Sequence, residues 1–144
     1  MKVTLEQSDY YRWWCVDRIG VPYKPGDGMT VTLLKDDGTP AAVCLYTDFN
    51  SVNVFGSVAA EPGKHWLNRD FLWYCFRYPF IQMGVNRITS FVASTNEEAI
   101  RFDTHLGFTL EATLKGAHPD GDLLVMTMHK DQCRWLNHKG KKHE

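Results

Sequence analysis

The sequence predicts an α+β domain built on a mixed, mostly antiparallel sheet with helices on both faces. Three observations carry this. Residues 29–34 and 41–46 read as strands on either side of the turn signal Asp37-Gly38. Apolar residues recur at helical spacing over 66–78 and again from Ala99 to Leu106. The order is helix, three strands, helix, strand, helix, two strands, which interleaves the two kinds of element in one layered unit.

Residues 6–19 supply the first helix, with Tyr10, Trp14, Val16 and Ile19 at its apolar positions, and Gly20-Val21-Pro22 ends it. A loop over 22–28 leads to the strand 29–34, the turn 35–40 and the returning strand 41–46. Asp48-Phe49-Asn50 makes the next turn, and 52–60 the third strand of an antiparallel meander. From 66 to 78, Leu67, Phe71, Leu72, Cys75 and Phe76 mark a major helix, with Pro79 at its exit. The aromatic group Trp13, Trp14, Trp66, Trp73, Tyr74 and Phe76 is expected to pack in the core.

The segment 86–108, NRITSFVASTNEEAIRFDTHLGF, joins a strand, a capped helix and a glycine stop. Alternation over 88–92 gives the strand, and Ser94 or Asn96 can cap the helix. Glu97 and Glu98 suit the positive end of its dipole, and Gly107 stops it. Strands over 108–114 and 123–128, joined by a loop over 115–122, complete the chain as a hairpin.

A length of 144 residues fits one domain, 1–144, with a single core. No apolar run approaches the ~20 residues of a membrane-spanning helix, so no membrane partner is expected. The N-terminal stretch has acidic residues and no long apolar run, which argues against a secretory signal and for a cytoplasmic location. Cys15, Cys44, Cys75 and Cys133 show no CxxC spacing and are expected to be reduced, with no metal site. The net charge of −1 offers no general attraction for nucleic acid. Arg134, Lys139, Lys141 and Lys142 form a short basic stretch, expected to be a solvated, frayed terminus.

The segment NEEAIRF followed by Leu106-Gly107-Phe108 resembles the acetyl-CoA-dependent N-acetyltransferase superfamily (GNAT). The stretch 76–87 resembles that family's helix end and loop. Gly121-Asp122 and the strand to Met128 resemble its branch acting on protein N-termini and ribosomal proteins. The resemblance implies a GNAT-like fold in which the third and fourth strands splay apart. Acetyl-CoA then lies between them, with its pyrophosphate at the N-terminus of the following helix. The family's glycine signature falls here on Gly63-Lys64-His65-Trp66-Leu67-Asn68, which keeps the loop length and replaces both later glycines.

On this resemblance the cofactor-binding residues are Val58, Ala60, Gly63, Lys64, Trp66, Asn68, Arg69 and Asn96, with Lys64, His65 and Arg69 able to meet phosphate and Asn96 also able to serve as a helix cap. Glu61 and His65 are candidates for the base that deprotonates the amine, with Asp48 and His118 further off. Asp103 stands where the family often has a Tyr acid, and it can donate a proton only if burial raises its pKa.

The implied activity is transfer of an acetyl group to an amine in a ternary complex. The implied partners are an amine-bearing substrate, including protein N-termini and lysines, and a second copy of the chain as a homodimer. The altered loop and Asp103 equally suit a GNAT-fold protein that has lost transfer and serves as a binding or structural component, including a viral one.

Overall fold

The computed structural model describes residues 1–19, 27–63 and 68–137. Its elements are β1 (Lys2–Thr4), α1 (Asp9–Ile19), β2 (Met29–Leu34), β3 (Pro40–Thr47), β4 (Asn53–Ala60), α2 (Arg69–Arg77), β5 (Arg87–Ala93), α3 (Glu97–Leu106), β6 (Thr109–His118) and β7 (Gly121–His129). The strands form one seven-stranded sheet in the order β1-β2-β3-β4-β5-β7-β6. Every neighbouring pair is antiparallel except β4 and β5. This is the expected α+β architecture, with a short edge strand β1 that three residues of sequence were too few to reveal.

Both faces are covered around β3, which explains its nearly continuous apolar run. On one face α1 packs Trp14, Cys15 and Val16 against Val43, Leu45 and Ala59. Its buried stripe is Tyr11, Trp14, Cys15 and Val16, so Tyr10 (56% exposed) and Trp13 (39%) turn outward, contrary to the sequence expectation. On the other face α2 and α3 bring Phe71, Leu72, Cys75, Phe76 and Leu106 onto Val31, Leu33, Tyr46, Val54 and Ile88. Each such side chain contributes about 1.5–3 kcal/mol by leaving water. The Tyr46 hydroxyl donates to the Cys75 carbonyl oxygen, tying β3 to α2.

Helix α2 starts at Arg69 rather than Trp66, because Asn68 is extended (φ −100°, ψ 142°) and its side chain accepts from the Phe71 N–H at 2.9 Å. Pro79 does not end the helical path. A π-helical turn runs over Tyr78–Met83 with the proline at its start, where a missing N–H is tolerated, and Gly84 closes it at φ 80°. The C-terminal stretch is also more ordered than expected. Short 3-10 turns cover Lys130–Gln132 and Arg134–Asn137. Trp135 stacks on Phe76 at 5.9 Å, its Nε1–H donates to the Leu106 carbonyl at 2.8 Å, and Arg134 donates to the His105 carbonyl. Lys139, Lys141 and Lys142 lie outside the described residues. The loop expected over 115–122 is mostly strand, since β6 runs on to His118 through irregular register.

The β4–β5 contact is short. Parallel pairing covers only Asn53↔Arg87, Val54↔Ile88 and Phe55↔Thr89. A polar network pins these residues. Asn53 Oδ1 accepts from Arg87 Nε at 3.1 Å and from the Thr89 hydroxyl at 2.7 Å, while Arg87 Nη2 donates to that hydroxyl at 2.9 Å. The Val52 carbonyl accepts from the N–H groups of Asn86 (2.9 Å) and Arg87 (3.2 Å). Asn53→Ala strands two donors and is expected to lower the unfolding free energy by about 1–3 kcal/mol in a urea titration. Asn53→Asp keeps an acceptor oxygen and should lose less; wild-type stability in the alanine variant would remove the network from this role.

Candidate active site

Beyond Phe55 and Thr89 the two strands part, although β4 continues to Ala60 and β5 to Ala93. The hydrogen-bond phase of each strand then decides which peptide groups face the gap. The Glu61 N–H donates to the Ala41 carbonyl at 2.9 Å, so alternation along an antiparallel ladder turns the N–H and C=O of Gly56, Val58 and Ala60 away from β3. The Ser94 N–H donates to the Asp122 carbonyl at 2.9 Å, which by the same rule turns Phe91 and Ala93 away from β7. Both walls of the gap therefore present backbone donors and acceptors to whatever lies in it. Gly56 stands at the point of divergence, where an added Cβ would come within 3.2 Å of Ile88 Cγ2.

Two spaces adjoin the gap. The outer one, roughly 570 Å3, runs over the end of β4 and the start of α3 and is lined by Arg18, Val58, Ala60, Glu61, Gly63, Asn96, Glu98 and Phe102 among others. The inner one, about 60 Å3, lies beneath the gap and touches both strands through Gly56, Val58, Ile88 and Ser90. Its remaining walls include Cys44, Tyr46, Leu72, Cys75, Phe102, Asp103 and Phe108. Val58 and Phe102 border both spaces, so the groove and the cavity lie side by side.

Asp103 is 8% exposed, and desolvation pushes its carboxyl from 3.8 up to about 7. At neutral pH a large fraction of these carboxyls hold a proton facing the cavity. Burial likewise raises the Cys75 thiol and the Tyr46 phenol, so both are neutral there. The Asp103 backbone is engaged separately, its carbonyl accepting from Gly107 and Phe108 N–H at the helix end.

The sequence-derived candidates fall into separate places. Val58, Ala60, Glu61, Gly63 and Asn96 share the groove. Asn96 Oδ1 caps α3 by accepting from the Ala99 N–H at 3.1 Å, which decides the cap between it and Ser94. Glu61 accepts from Lys35 Nζ at 2.8 Å at the groove's outer end. Asn68 and the exposed Arg69 stand at the start of α2. Lys64, His65 and Trp66 lie outside the described residues.

Arg18 is a groove cation that residue spacing did not single out; its guanidinium lies 3.6 Å from the Trp14 ring centroid and donates to the Trp14 carbonyl at 3.0 Å. The cavity lining from β3 and α2 was equally missed. Gly56, a glycine inside a strand, was the one local sign of a close approach.

The model of the acetyltransferase (GNAT) domain family matches residues 49–122, more than half of the chain and the whole of the splayed region. The chain belongs to the GNAT acetyltransferase family. The expectation of a GNAT-like acetyltransferase is thereby met, and solved structures agree on the fold. The spermidine N-acetyltransferase of Vibrio cholerae in complex with CoA and spermine superposes with a TM-score of 0.72 at 13% identity, over 91% of this chain and 96% of that one. A chimera of the Vibrio cholerae enzyme SpeG with hSSAT gives 0.73 at 14% identity, over 96% of this chain and 100% of the other. No match is found among curated proteins. Among the described residues no helix is long and apolar enough to cross a membrane.

Asp103 also makes folding pH-dependent. Its folded pKa lies above the unfolded value, so the native state holds the extra proton between pH 3.8 and about 7, and this contribution to stability declines as pH rises through that window. Asp103→Asn puts a group there that does not titrate. The variant is expected to melt above wild type at pH 8, with the advantage narrowing at pH 5; no advantage at pH 8 would count against burial as the cause.

Proposed function

We propose that the chain is an acetyl-CoA-dependent N-acetyltransferase, working as one domain over 1–144 in the cytoplasm, that passes the acetyl group directly to an amine held beside it. The single observation behind this reading is the gap whose peptide groups face inward and which ends on a buried, protonatable carboxyl. Acetyl-CoA supplies an activated acyl thioester. Backbone groups of Val58 and Ala60 suit the amides of an extended pantetheine arm, as a strand partner would. Asn96, Gly63 and Arg18 border the groove through which such an arm enters, and Asn68 and Arg69 stand at the start of α2 with Lys64 and Trp66 next to them in sequence.

In the transfer, the amine nitrogen bonds to the thioester carbonyl carbon and the carbon–sulfur bond breaks. An inward N–H of β4 polarises the carbonyl, and the Asp103 carboxylic acid gives its proton to the departing thiolate. A donor near 7 is well matched to a thiol, which ordinarily titrates near ~8.5. The amine's proton leaves through water or to Glu61 or His65. The acceptor is a protein N-terminus, a lysine or a small amine; the spermine-bound neighbour supports the small-amine class.

Isothermal titration with acetyl-CoA followed by a thiol-release assay on an amine panel tests the reading. Binding at micromolar concentration with release of thiol is expected, and no binding at high micromolar concentration would sink it, leaving a scaffold that has lost transfer. The acid role has its own signature. The rate at saturating amine is expected to fall above pH 7 as Asp103 loses its proton, and Asp103→Asn should lower kcat by about 10²–10⁴-fold and abolish that limb. A limb that persists unchanged in the variant would assign the proton to another group.

A further inference from the structure

We infer that the acceptor is a primary amine carried on an aromatic or bulky apolar body, an arylalkylamine and not a polyamine, and that Phe55 and Phe91 form the surface on which that body lies. This rests on the proposed transfer reaction and specifies its amine. The direction of approach follows from the two faces of the sheet. The cavity with Asp103 is on the face covered by α2 and α3, so an amine meeting a thioester in the gap comes from the opposite face. There α1 is seated on β2, β3 and β4, and the strands beyond it stay open, with Phe91 on β5 49% exposed and Leu114 on β6 43%. Ala59 packs under α1, and Phe55, four residues earlier on β4, shares its face. The Phe55 and Phe91 rings stack with centroids 5.2 Å apart and planes 24° apart, which puts Phe91 on that face as well. Register carries the apolar surface on from Phe91 to Val125 on β7 and Ala112 on β6.

The ring pair stands where the strands begin to part. Backbone pairing ends at Phe55 and Thr89, and Phe91 directly follows Ser90, which with Gly56 borders the cavity. One residue of strand is ~3.3 Å long, so a body about two or three bonds from the reacting nitrogen lies over the Phe91 ring. An aryl group there adds a third ring to a pair that already stacks. Charge decides against a polyamine. The charged side chains that the strands place on this face next to the rings are Arg87 and Glu111, and they pair with each other at 3.3 Å. Arg87 is held further by Asn53 and Thr89. A hydrocarbon body gains by leaving water on such a surface, whereas the additional ammonium groups of a polyamine would lose hydration there with no unpaired carboxylate in return.

The test is an acceptor series on the full chain at saturating acetyl-CoA, read as thiol release, with phenethylamine, tryptamine, spermidine, spermine and a lysine-containing peptide. Phenethylamine and tryptamine are expected to give kcat/KM at least about ten-fold above the other three. Equal or higher values for a polyamine or for the peptide overturn the inference while leaving acetyl transfer intact. Release of thiol with none of the amines overturns the transfer reading itself.

Phe91→Ala, at a half-exposed position, is expected to raise the KM for tryptamine about ten-fold while kcat and the KM for acetyl-CoA stay within about two-fold, and Phe91→Tyr, which keeps the ring, to restore it. An unchanged tryptamine KM in the alanine variant overturns the role of the rings. A second copy of the chain is the other occupant that an open apolar face admits. Sedimentation equilibrium at micromolar concentration separates the two: a monomer is expected, and a dimer that Phe91→Asp splits would assign the face to self-association and overturn the inference.

Discussion

The architecture turns on three residue pairs of parallel sheet. Asn53, Thr89 and Arg87 clamp β4 to β5 at one end, and the backbone pairing stops at Phe55 and Thr89, past which the Phe91 ring stacks on Phe55 at 5.2 Å. Without the clamp the seven strands would fall into two separate sheets, β1 to β4 and β5 to β7-β6; with pairing along the full length there would be no gap. The cover on the α2 and α3 face follows from this geometry. Phe76 bridges the two halves by touching Phe108 and Trp135, and the C-terminal turn closes over the end of α3 through Trp135 and Arg134. The cavity is the space left where that cover spans a divergence it cannot fill.

Much of this fold was legible in local pattern. Asp37-Gly38 identified its hairpin because a glycine at φ 86° leaves few other conformations. The run Asn96 to Gly107 was legible because cap, acidic first turn and left-handed glycine are all encoded within one helix. Where the pattern misled, a distant partner was responsible. Arg134 read as part of a basic tail until the carbonyl of His105, some thirty positions earlier, is placed beside it, with the neighbouring Trp135 donating to the Leu106 carbonyl. Pro79 read as a stop because its effect on the preceding turn was weighed without the π-helical turn that receives it.

The site divides in the same way. Asp103 was a candidate because the resemblance places it where the family often has a Tyr acid, and its fitness as an acid was conditional on burial, a property of the packed molecule. The surroundings of α3 meet that condition by desolvation. Tyr46, Cys44, Leu72 and Phe102 carried no signal because their shared feature is one small cavity, assembled from β3, α2 and α3. Arg18 was invisible for a related reason: only the docking of α1 beside the end of β4 brings its guanidinium to the groove.

The gap between β4 and β5 is also an edge, placed inside a sheet instead of at its border. Peptide groups of Val58, Ala60 and Phe91 that would satisfy a neighbouring strand face the gap. A ligand lying there stands in for the missing strand, so occupancy and folding become linked equilibria. By mass action a ligand bound there raises the free energy of unfolding with the logarithm of its concentration, so on the proposed function the acyl donor would stabilise the fold it reacts in.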